Sequence, residues 1–337
     1  MTLERTTLRK FLLNLQKDDA LDQDLVLLIE DIATSCRIIS HQIHNGPFLN
    51  ILGATETSNI QGETQKKLDV IANDVFLSHC SNCGRVAALV SEELEDVVWL
   101  KEKPEKGDYL VYFDPLDGSS NLNVNLSVGS IFSVVELEED IQTLSNEVVL
   151  LNGTKQIFAG YSLYGPSTSL VFSTGQGVNG FTHMIGTGEF FLTFPDMQLP
   201  DQTDEFAINA SRWRQWDPAI SRYVQECIDG EAGPRQKTFN MRWTASMVAE
   251  VHRILTRGGI FLYPVDKENE ARGGKLRLLY EANPMSFIVE QANGRASTGY
   301  QRILDVEPQS HHQRISVILG CSAEVERIES YYRELER

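Results

Sequence analysis

Two short apolar runs that end in acidic residues constrain the fold of this chain more than any other feature. Residues 86–90 (VAALV) and 109–113 (YLVYF) are almost wholly apolar and are followed by SEE and DPLD. Continuous apolar runs of this length are typical of strands buried on both faces, which need helices to cover them. The runs therefore predict a mixed α/β fold with acidic side chains at the strand ends.

Two segments beside these runs have the apolar period of amphipathic helices. The first gives a long helix one apolar stripe, formed by Leu21, Leu25, Leu28, Ile29, Ile32, Cys36, Ile39 and Ile43. The second follows a predicted loop at residues 53–62 and carries Leu68, Ile71, Ala72, Val75 and Phe76. Further strands are predicted at residues 130–137, 157–163 and 170–173.

A second half is expected to begin near Pro200. Its predicted strands lie at residues 206–209, 260–263 and 315–319, and its predicted helices lie after Asp217 and at 245–256, 285–292 and 323–335. The chain has 337 residues, which is more than one hydrophobic core usually serves. We therefore predict two α/β domains, residues 1–200 and 201–337.

The motif DPLDGSSN at residues 114–121 is the strongest chemical signal in the sequence. Pro115 disfavours a helix and predicts a turn, while Gly118 permits backbone angles that other residues avoid. Such a turn can direct Asp114 and Asp117 toward one point, and the amides and hydroxyls that follow suit a phosphate oxygen. Because ligands of α/β folds bind at the carboxyl ends of strands, we interpret the motif as part of a site.

Three more acidic residues are candidates for the same site. Glu92 and Glu93 follow the first apolar run, and Glu281 ends the segment KLRLLYE at residues 275–281. If that segment is a strand, its alternation places two basic residues and Glu281 on one face. Clustered carboxylates repel one another unless a cation lies between them, and all-oxygen ligands favour Mg²⁺, with Mn²⁺ as the alternative.

The charge of the chain limits its partners. A formal net charge of −17 argues against nucleic acid or an anionic membrane, and a phosphorylated substrate would need a cation beside it. No segment is apolar enough to span a bilayer, and five cysteines are too few for a disulfide scaffold, so we expect a cytoplasmic protein. We interpret the CxxC motif at residues 80–83 as incidental, with redox sensitivity and metal binding as alternatives.

At DPLDGSSN and at KLRLLYEANPM (residues 275–285) the chain resembles class I fructose-1,6-bisphosphatase. The similarity is collinear and continues at NIQGE (59–63), QKKLDV (65–70), VSEE (90–93), NLSVGSIF (125–132), YSLYGPS (161–167), GGIFLYP (258–264) and HQR (312–314). DPxDG alone is shared with inositol monophosphatase-like enzymes, whereas KLRLLYEANPM is much more specific.

The resemblance implies a sugar-phosphatase fold, layered α/β/α/β/α with mixed sheets. It implies magnesium-dependent removal of the 1-phosphate from D-fructose 1,6-bisphosphate, as in gluconeogenesis or Calvin-type metabolism. It also implies a homo-oligomer, which the family suggests is a tetramer.

The resemblance also assigns roles to individual residues. It implies that metal is held by Glu92, Asp114, the Leu116 carbonyl, Asp117 and Glu281. Asp69 and Glu93 would orient and deprotonate the attacking water, and Glu63 would lie in a loop that closes over the site and pair with Arg277. The substrate contacts would be Asp117, Gly118, Ser119, Ser120, Asn209, Arg242, Trp243, Phe261, Leu262, Tyr263, Lys275 and Arg277, with Arg242 reaching a neighbouring subunit.

The chain departs from the family pattern at two places. Trp243 stands where many relatives have tyrosine, and Ala-Ser-Arg follows Asn209, so two hydroxyls expected at the 6-phosphate are missing; Arg212 or Arg214 could replace them electrostatically. At the AMP site of the family this chain has Asp22 and Asp24 near a helix start and an aspartate, Asp108, in place of lysine. We therefore expect AMP to inhibit poorly.

Two alternative functions remain open at the level of sequence. Hydrolysis of sedoheptulose 1,7-bisphosphate would use the same metal chemistry in a longer pocket. A catalytically silent phosphosugar-binding regulator would be expected to lack a metal carboxylate, and all the implied ones are present.

Overall fold

The computed structural model describes residues 5–18, 20–49, 51, 54–58 and 64–335. Its helices are α1 Leu8–Lys17, α2 Gln23–Leu49, α3 Lys67–Cys80, α4 Pro218–Ile228, α5 Met247–Arg257, α6 Asn283–Gln291 and α7 Ser322–Leu335. Its strands are β1 Ala54–Ser58, β2 Thr64–Lys66, β3 Val86–Ser91, β4 Val98–Trp99, β5 Tyr109–Asp117, β6 Val128–Glu136, β7 Gln156–Tyr164, β8 Thr168–Ser173, β9 Val178–Met184, β10 Glu189–Met197, β11 Glu205–Ile208, β12 Asn240–Met241, β13 Ile260–Tyr263, β14 Leu276–Arg277, β15 Arg295–Ser297, β16 Arg314–Ile315 and β17 Val317–Gly320.

The larger sheet contains both apolar runs. Its eight strands follow the order β10-β9-β8-β7-β6-β5-β3-β4. Strands β3 and β5 pair in parallel, whereas β5 and β6 are antiparallel, so the sheet is mixed as predicted. Every residue of β3 and β5 is buried, which confirms the reading of the two runs as strands covered on both faces.

The second half of the chain forms a smaller sheet of five strands. Their order is β12-β11-β13-β17-β15. The pairing of β11 with β13 is parallel and that of β13 with β17 is antiparallel, so this sheet is also mixed. The division into domains at residue 200 stays an interpretation.

Three hydrophobic clusters arrange these elements in layers. Helices α1 to α3 cover one face of the large sheet, where Phe76 of α3 stacks on Phe113 of β5 with ring centroids 5.0 Å apart. Helices α5 and α6 lie between its other face and the small sheet. Helices α4 and α7 cover the outer face of the small sheet. The result is the α/β/α/β/α order implied by the resemblance.

The expected turn at Pro115 is wrong, because β5 continues through Pro115 to Asp117. The register between β5 and β6 is interrupted between Asp114 and Asp117, where proline has no amide hydrogen to offer the neighbouring strand. The chain turns instead at Gly118, whose φ of +74° lies in the left-handed region.

The expected strand at residues 275–281 is also only partly correct. Strand β14 covers two residues and pairs with β16, after which Leu278–Ala282 forms a π-helical turn that leads into α6. Apolar alternation over so short a segment cannot distinguish a strand from a wide helical turn.

Several other elements lie outside the predictions, among them the short strands β2, β4, β12 and β15. Others are α1, the hairpin formed by β9 and β10, and the strand β1, which lies within the predicted loop at residues 53–62. Within the described residues, no helix is both long and apolar enough to cross a membrane.

The two cysteines of the CxxC motif are buried and not disulfide-bonded. All five cysteines are free and buried. Burial raises the pKa of both Cys80 and Cys83, which disfavours the reactive thiolate. These observations favour the incidental interpretation.

Candidate active site

A cavity of about 360 Å³ opens where the end of β5 meets the starts of α3 and α5 and the end of β13. Most of the residues implied by the resemblance line this one cavity. They are Asp69, Glu92, Glu93, Asp114, Leu116, Asp117, Gly118, Ser119, Ser120, Asn209, Trp243, Phe261, Tyr263, Lys275, Arg277 and Glu281.

Three buried carboxylates form the centre of the acidic end. Asp114, Asp117 and Glu281 each offer an oxygen, and these atoms all lie within 4.8 Å of one another. Burial and the charge of Glu92 raise the pKa of Asp114 well above its usual range, and burial raises the pKa of Glu281 to about 8. Such a cluster is unfavourable when fully ionised, and an all-oxygen set of this kind fits a hard divalent cation.

The position of Asp117 is fixed by the N-terminus of α5. Its Oδ2 accepts hydrogen bonds from the Ser246 hydroxyl at 2.7 Å and from the Val248 amide at 3.0 Å. Ser246 also caps the helix by accepting from the Ala249 amide. These bonds oppose the effect of burial, which raises the pKa of Asp117, and they favour its ionised form at a helix N-terminus.

The segment after Asp117 can hold an anion. Gly118 packs so closely on Ser246 that a Cβ there would lie 2.7 Å from the serine Cβ, so only glycine fits. A 3₁₀ turn, Ser119–Val124, then begins, and Ser119 and Ser120 line the cavity. Backbone amides and hydroxyls at such a turn suit phosphate oxygens.

Asp69 lies in the first turn of α3. Its Oδ2 accepts from the Lys66 amide at 2.8 Å, and burial nevertheless raises its pKa to about 6. Glu93 lines the cavity with it, and the Glu93 amide donates to the Ser91 hydroxyl at 3.2 Å. A carboxyl group with a pKa near neutrality can accept a proton at physiological pH.

Glu92 is paired with an arginine. Glu92 Oε1 lies 2.8 Å from the guanidinium of buried Arg277, which is also 4.0 Å from Glu281. The Arg277 amide donates to Glu281 at 2.6 Å. Arg277 therefore neutralises part of the negative charge in the acidic end.

The other end of the cavity is aromatic and basic. The Trp243 ring is nearly parallel to that of Phe261, with centroids 6.0 Å apart, and lies 5.8 Å from that of Tyr263. Lys275 and Asn209 complete this end.

Among the described residues, two implied site residues, Leu262 and Arg242, are not part of the cavity lining. Leu262 is fully buried among the residues that α4 and α7 cover, because alternate residues of β13 face opposite sides. Arg242 is half exposed, lies 3.7 Å from Glu205 and is not among the residues that line the cavity of its own chain. Glu63 lies outside the described residues.

Neither proposed substitute for the missing hydroxyls lines the cavity. Arg212 is held by Asp266 at 2.9 Å and also pairs with Glu268, so its charge is already compensated. Arg214 is exposed and lies over the ring of Trp213.

Sequence reasoning missed the residues that α5 contributes. Ala245, Ser246 and Met247 line the cavity. A serine before an apolar helical pattern could have been recognised as a helix cap, but no local pattern reveals that it contacts a carboxylate 129 residues away.

Comparison with known proteins places this geometry in a family. Residues 6–195 match the family model described as "Fructose-1-6-bisphosphatase, N-terminal domain", and residues 199–333 match the corresponding C-terminal domain. A crystal structure of fructose-1,6-bisphosphatase from Leishmania major in holo form is 37% identical, with a TM-score of 0.90 over 98% of this chain and 99% of that one. The apo form of the same enzyme gives 35% identity and a TM-score of 0.85 over the same shares. Because both domain models match in order and together span most of its length, the chain belongs to the fructose-1,6-bisphosphatase family of phosphatases.

Proposed function

We propose that this chain hydrolyses the 1-phosphate of D-fructose 1,6-bisphosphate, giving fructose 6-phosphate and phosphate, with Mg²⁺ bound at the acidic end. The observation that supports this most directly is the pairing of two unlike ends in one cavity. Buried carboxylates and a phosphate-binding turn form one end, and a lysine beside aromatic rings forms the other.

The acidic end fits the cation and the reacting phosphate. Asp114, Asp117 and Glu281, with Glu92 and the Leu116 carbonyl, would hold Mg²⁺, or Mn²⁺ in its place. A divalent cation supplies charge neutralisation at the transferring phosphoryl group. The turn from Gly118 to Ser120 would orient the phosphate oxygens by hydrogen bonding.

The protein supplies the base for the attacking water. Asp69 and Glu93 would orient the water and accept one proton from it while its oxygen approaches phosphorus opposite the C1 oxygen. As the bond from phosphorus to the C1 oxygen breaks, that oxygen takes up one proton and fructose 6-phosphate leaves. One proton of the water is thus balanced by the proton on the new alcohol, and the other stays on the phosphate product. Arg277, paired with Glu92, would keep the acidic end from repelling the substrate.

The basic end fits the sugar and the second phosphate. Lys275 provides a positive charge, and Asn209 and Tyr263 provide hydrogen-bonding groups. Trp243 and Phe261 offer flat faces for the carbon skeleton of the sugar. Arg242 would serve the cavity of a neighbouring subunit in a homo-oligomer, a tetramer by analogy with the family, because it is half exposed and does not line its own cavity.

The cellular setting is part of the proposal. We place the enzyme in the cytoplasm and in gluconeogenesis, or in Calvin-type sugar metabolism. Five free cysteines are compatible with a reducing compartment.

The test is phosphate release from fructose 1,6-bisphosphate and from sedoheptulose 1,7-bisphosphate, each with and without Mg²⁺. We expect magnesium-dependent release and a higher kcat/KM for the fructose ester. A higher kcat/KM for the sedoheptulose ester would transfer the assignment to that substrate. Tight binding without release of phosphate would instead identify a regulator.

A further inference from the structure

Two buried carboxylates and a partly buried arginine, all outside the proposed mechanism, form one connected network beside the cavity. Glu250, in the first turn of α5, has no exposed surface at all, and Glu205 at the start of β11 is almost as deeply buried. Arg253 lies between them and pairs with both carboxylates. Buried charges are costly, so a network of this kind needs a reason beyond stability.

One oxygen of Glu250 is used by a short segment of backbone rather than by the arginine. Glu250 Oε1 accepts the Thr244 amide at 2.6 Å and the Thr244 hydroxyl at 3.1 Å. Its Oε2 accepts two bonds from Arg253, at 3.0 and 3.2 Å. Glu250 therefore joins residue 244 to the ion-pair network by charge-assisted hydrogen bonds.

Thr244 lies in a segment whose residues on both sides of it contribute to the cavity. Trp243 before it and Ala245 after it line the cavity, and Ser246 holds Asp117. The Thr244 carbonyl also accepts the side-chain amide of Asn121, which lies in the phosphate-binding turn, at 2.8 Å. A displacement of Thr244 would therefore alter the positions of groups at both the sugar end and the acidic end of the cavity.

The conformation of this segment needs support from outside. Ala245 has a φ of +57°, in the left-handed region that residues with a Cβ rarely adopt. A strained backbone of this kind persists only where its surroundings determine it. The hydrogen bonds from Thr244 to Glu250 provide that support directly beside Ala245.

We propose that Glu250 is a positioning residue, which holds Thr244 and so sets the place of the Trp243 wall at the sugar end of the cavity. The proposal rests on the proposed function for its kinetic readout, but its structural readout is independent of substrate. Arg253 and Glu205 act through Glu250, because Arg253 holds the Glu250 carboxylate in place and Glu205 holds Arg253.

The test compares three variants with a matched control. Thr244→Val removes only the hydroxyl bond, Glu250→Ala removes the acceptor for both bonds, and Glu250→Gln keeps one oxygen for Thr244. The control is Glu324→Ala, because Glu324 is also a buried carboxylate that accepts from an arginine, Arg235, and from a hydroxyl, yet it lies on α7 away from the cavity.

We expect Glu250→Ala to raise KM about tenfold and Thr244→Val to raise it about threefold, with Glu250→Gln between Glu250→Ala and the parent. In each variant kcat should fall by a smaller factor than KM rises, because the Trp243 wall lies directly beside Thr244. Glu324→Ala should lose stability without a rise in KM. Hydrogen exchange at residues 242–246, followed by mass spectrometry, should speed up in Glu250→Ala and not in Glu324→Ala.

Two results would overturn the proposal. One is a KM in Thr244→Val and Glu250→Ala no higher than in Glu324→Ala, and the other is unchanged exchange at residues 242–246. If the parent protein releases no phosphate, the proposed function fails, and the exchange comparison alone still decides whether Glu250 holds the segment.

Discussion

At the scale of single residues, the carboxylates at the acidic end differ in what compensates their charge. Asp117 is held by a hydroxyl and an amide at a helix N-terminus, while Glu92 is held by the guanidinium of Arg277. Removing the charge of either residue relieves repulsion from the other carboxylates, but removing that of Glu92 also deprives buried Arg277 of its closest charged partner among the described residues. The two residues should therefore respond differently to the same neutral substitution.

We predict that Asp117→Asn and Glu92→Gln both lose more than tenfold in kcat/KM, since each would remove a metal ligand. In metal-free buffer, Asp117→Asn should keep or gain stability, because its amide oxygen can still accept from Ser246 and Val248. Glu92→Gln should lose about 1–3 kcal/mol, since the Arg277 guanidinium loses this close charged partner and its remaining contact with Glu281 is longer. Urea unfolding measures the stability of each variant, and steady-state kinetics measure its activity. Either variant keeping over a tenth of the activity would contradict its role as a ligand.

At the scale of elements, α5 faces the site with its first turn and the large sheet with its apolar side. His252 on this helix lies 3.0 Å from the hydroxyl of Tyr161 on β7, and burial lowers its pKa to about 4. The unfolded chain binds a proton at this histidine near pH 6.5, so the folded state loses relative stability as the pH falls from about 6.5 toward 4.

We predict that this one histidine costs about 2 kcal/mol of unfolding free energy between pH 7.5 and pH 5. A His252→Gln variant keeps a hydrogen-bonding group near Tyr161 but cannot titrate. Urea unfolding of both proteins at the two pH values gives the comparison. Equal losses of stability in the parent and the variant would show that His252 does not contribute.

The start of α2 gives a second prediction at this scale. Asp22 accepts the Leu25 amide at 2.7 Å, and its other oxygen accepts from Arg85 at 2.6 Å and from the Tyr109 hydroxyl. Asp108 does not face this cluster, since it is buried and paired with Lys101. The N-terminus of α2, where a phosphate could otherwise bind, is thus already occupied by the Asp22 carboxylate.

We expect AMP to inhibit poorly at saturating Mg²⁺, because its phosphate would compete with Asp22 for Arg85. Asp22→Ser keeps a helix cap and removes the closest carboxylate from Arg85, so it should increase inhibition, whereas Asp108→Lys should mainly disturb Lys101. Half-inhibition of the unmutated protein by low-micromolar AMP would contradict this expectation.

The sequence predicted those elements whose structure is determined by a local pattern of residues. It did not predict features whose structure depends on contacts between distant parts of the chain. Residues 86–90 and 109–113 predicted β3 and β5, because buried strands need apolar side chains at every position. The continuation of β5 through Pro115 depends on its pairing with β6, and the π-helical turn before α6 depends on packing. The contacts of Asp117 with α5, and of Thr244 with Glu250, have no local signature.

At the scale of the whole molecule, the site lies between the large sheet and the second half of the chain. Asp114 and Asp117 come from β5, while Glu281, Lys275 and the α5 residues come from beyond residue 200. Arg242 lies outside the cavity of its own chain, which makes an oligomer part of the proposed site.

A mixing experiment tests the shared site. Asp117→Asn and Arg242→Ala subunits should each be inactive or nearly so alone. After subunit exchange, some cavities would combine an intact Asp117 with an intact Arg242 from the neighbour, so activity should return. If hybrids form and no activity returns, Arg242 does not act across subunits.

The hydrogen bonds from α5 to Asp117 also bear on how such a protein can change over generations. The two halves have separate sheets, yet the acid of one half is oriented by the helix of the other. Recombination between related genes at residue 200 would leave each sheet intact. It would, however, combine Asp117 from one parent with the α5 N-terminus from the other. Glycine at 118 and serine at 246 therefore have to be inherited together, since a larger residue at 118 would displace the serine. A recombined chain therefore needs a compatible contact between the halves as well as two folded halves.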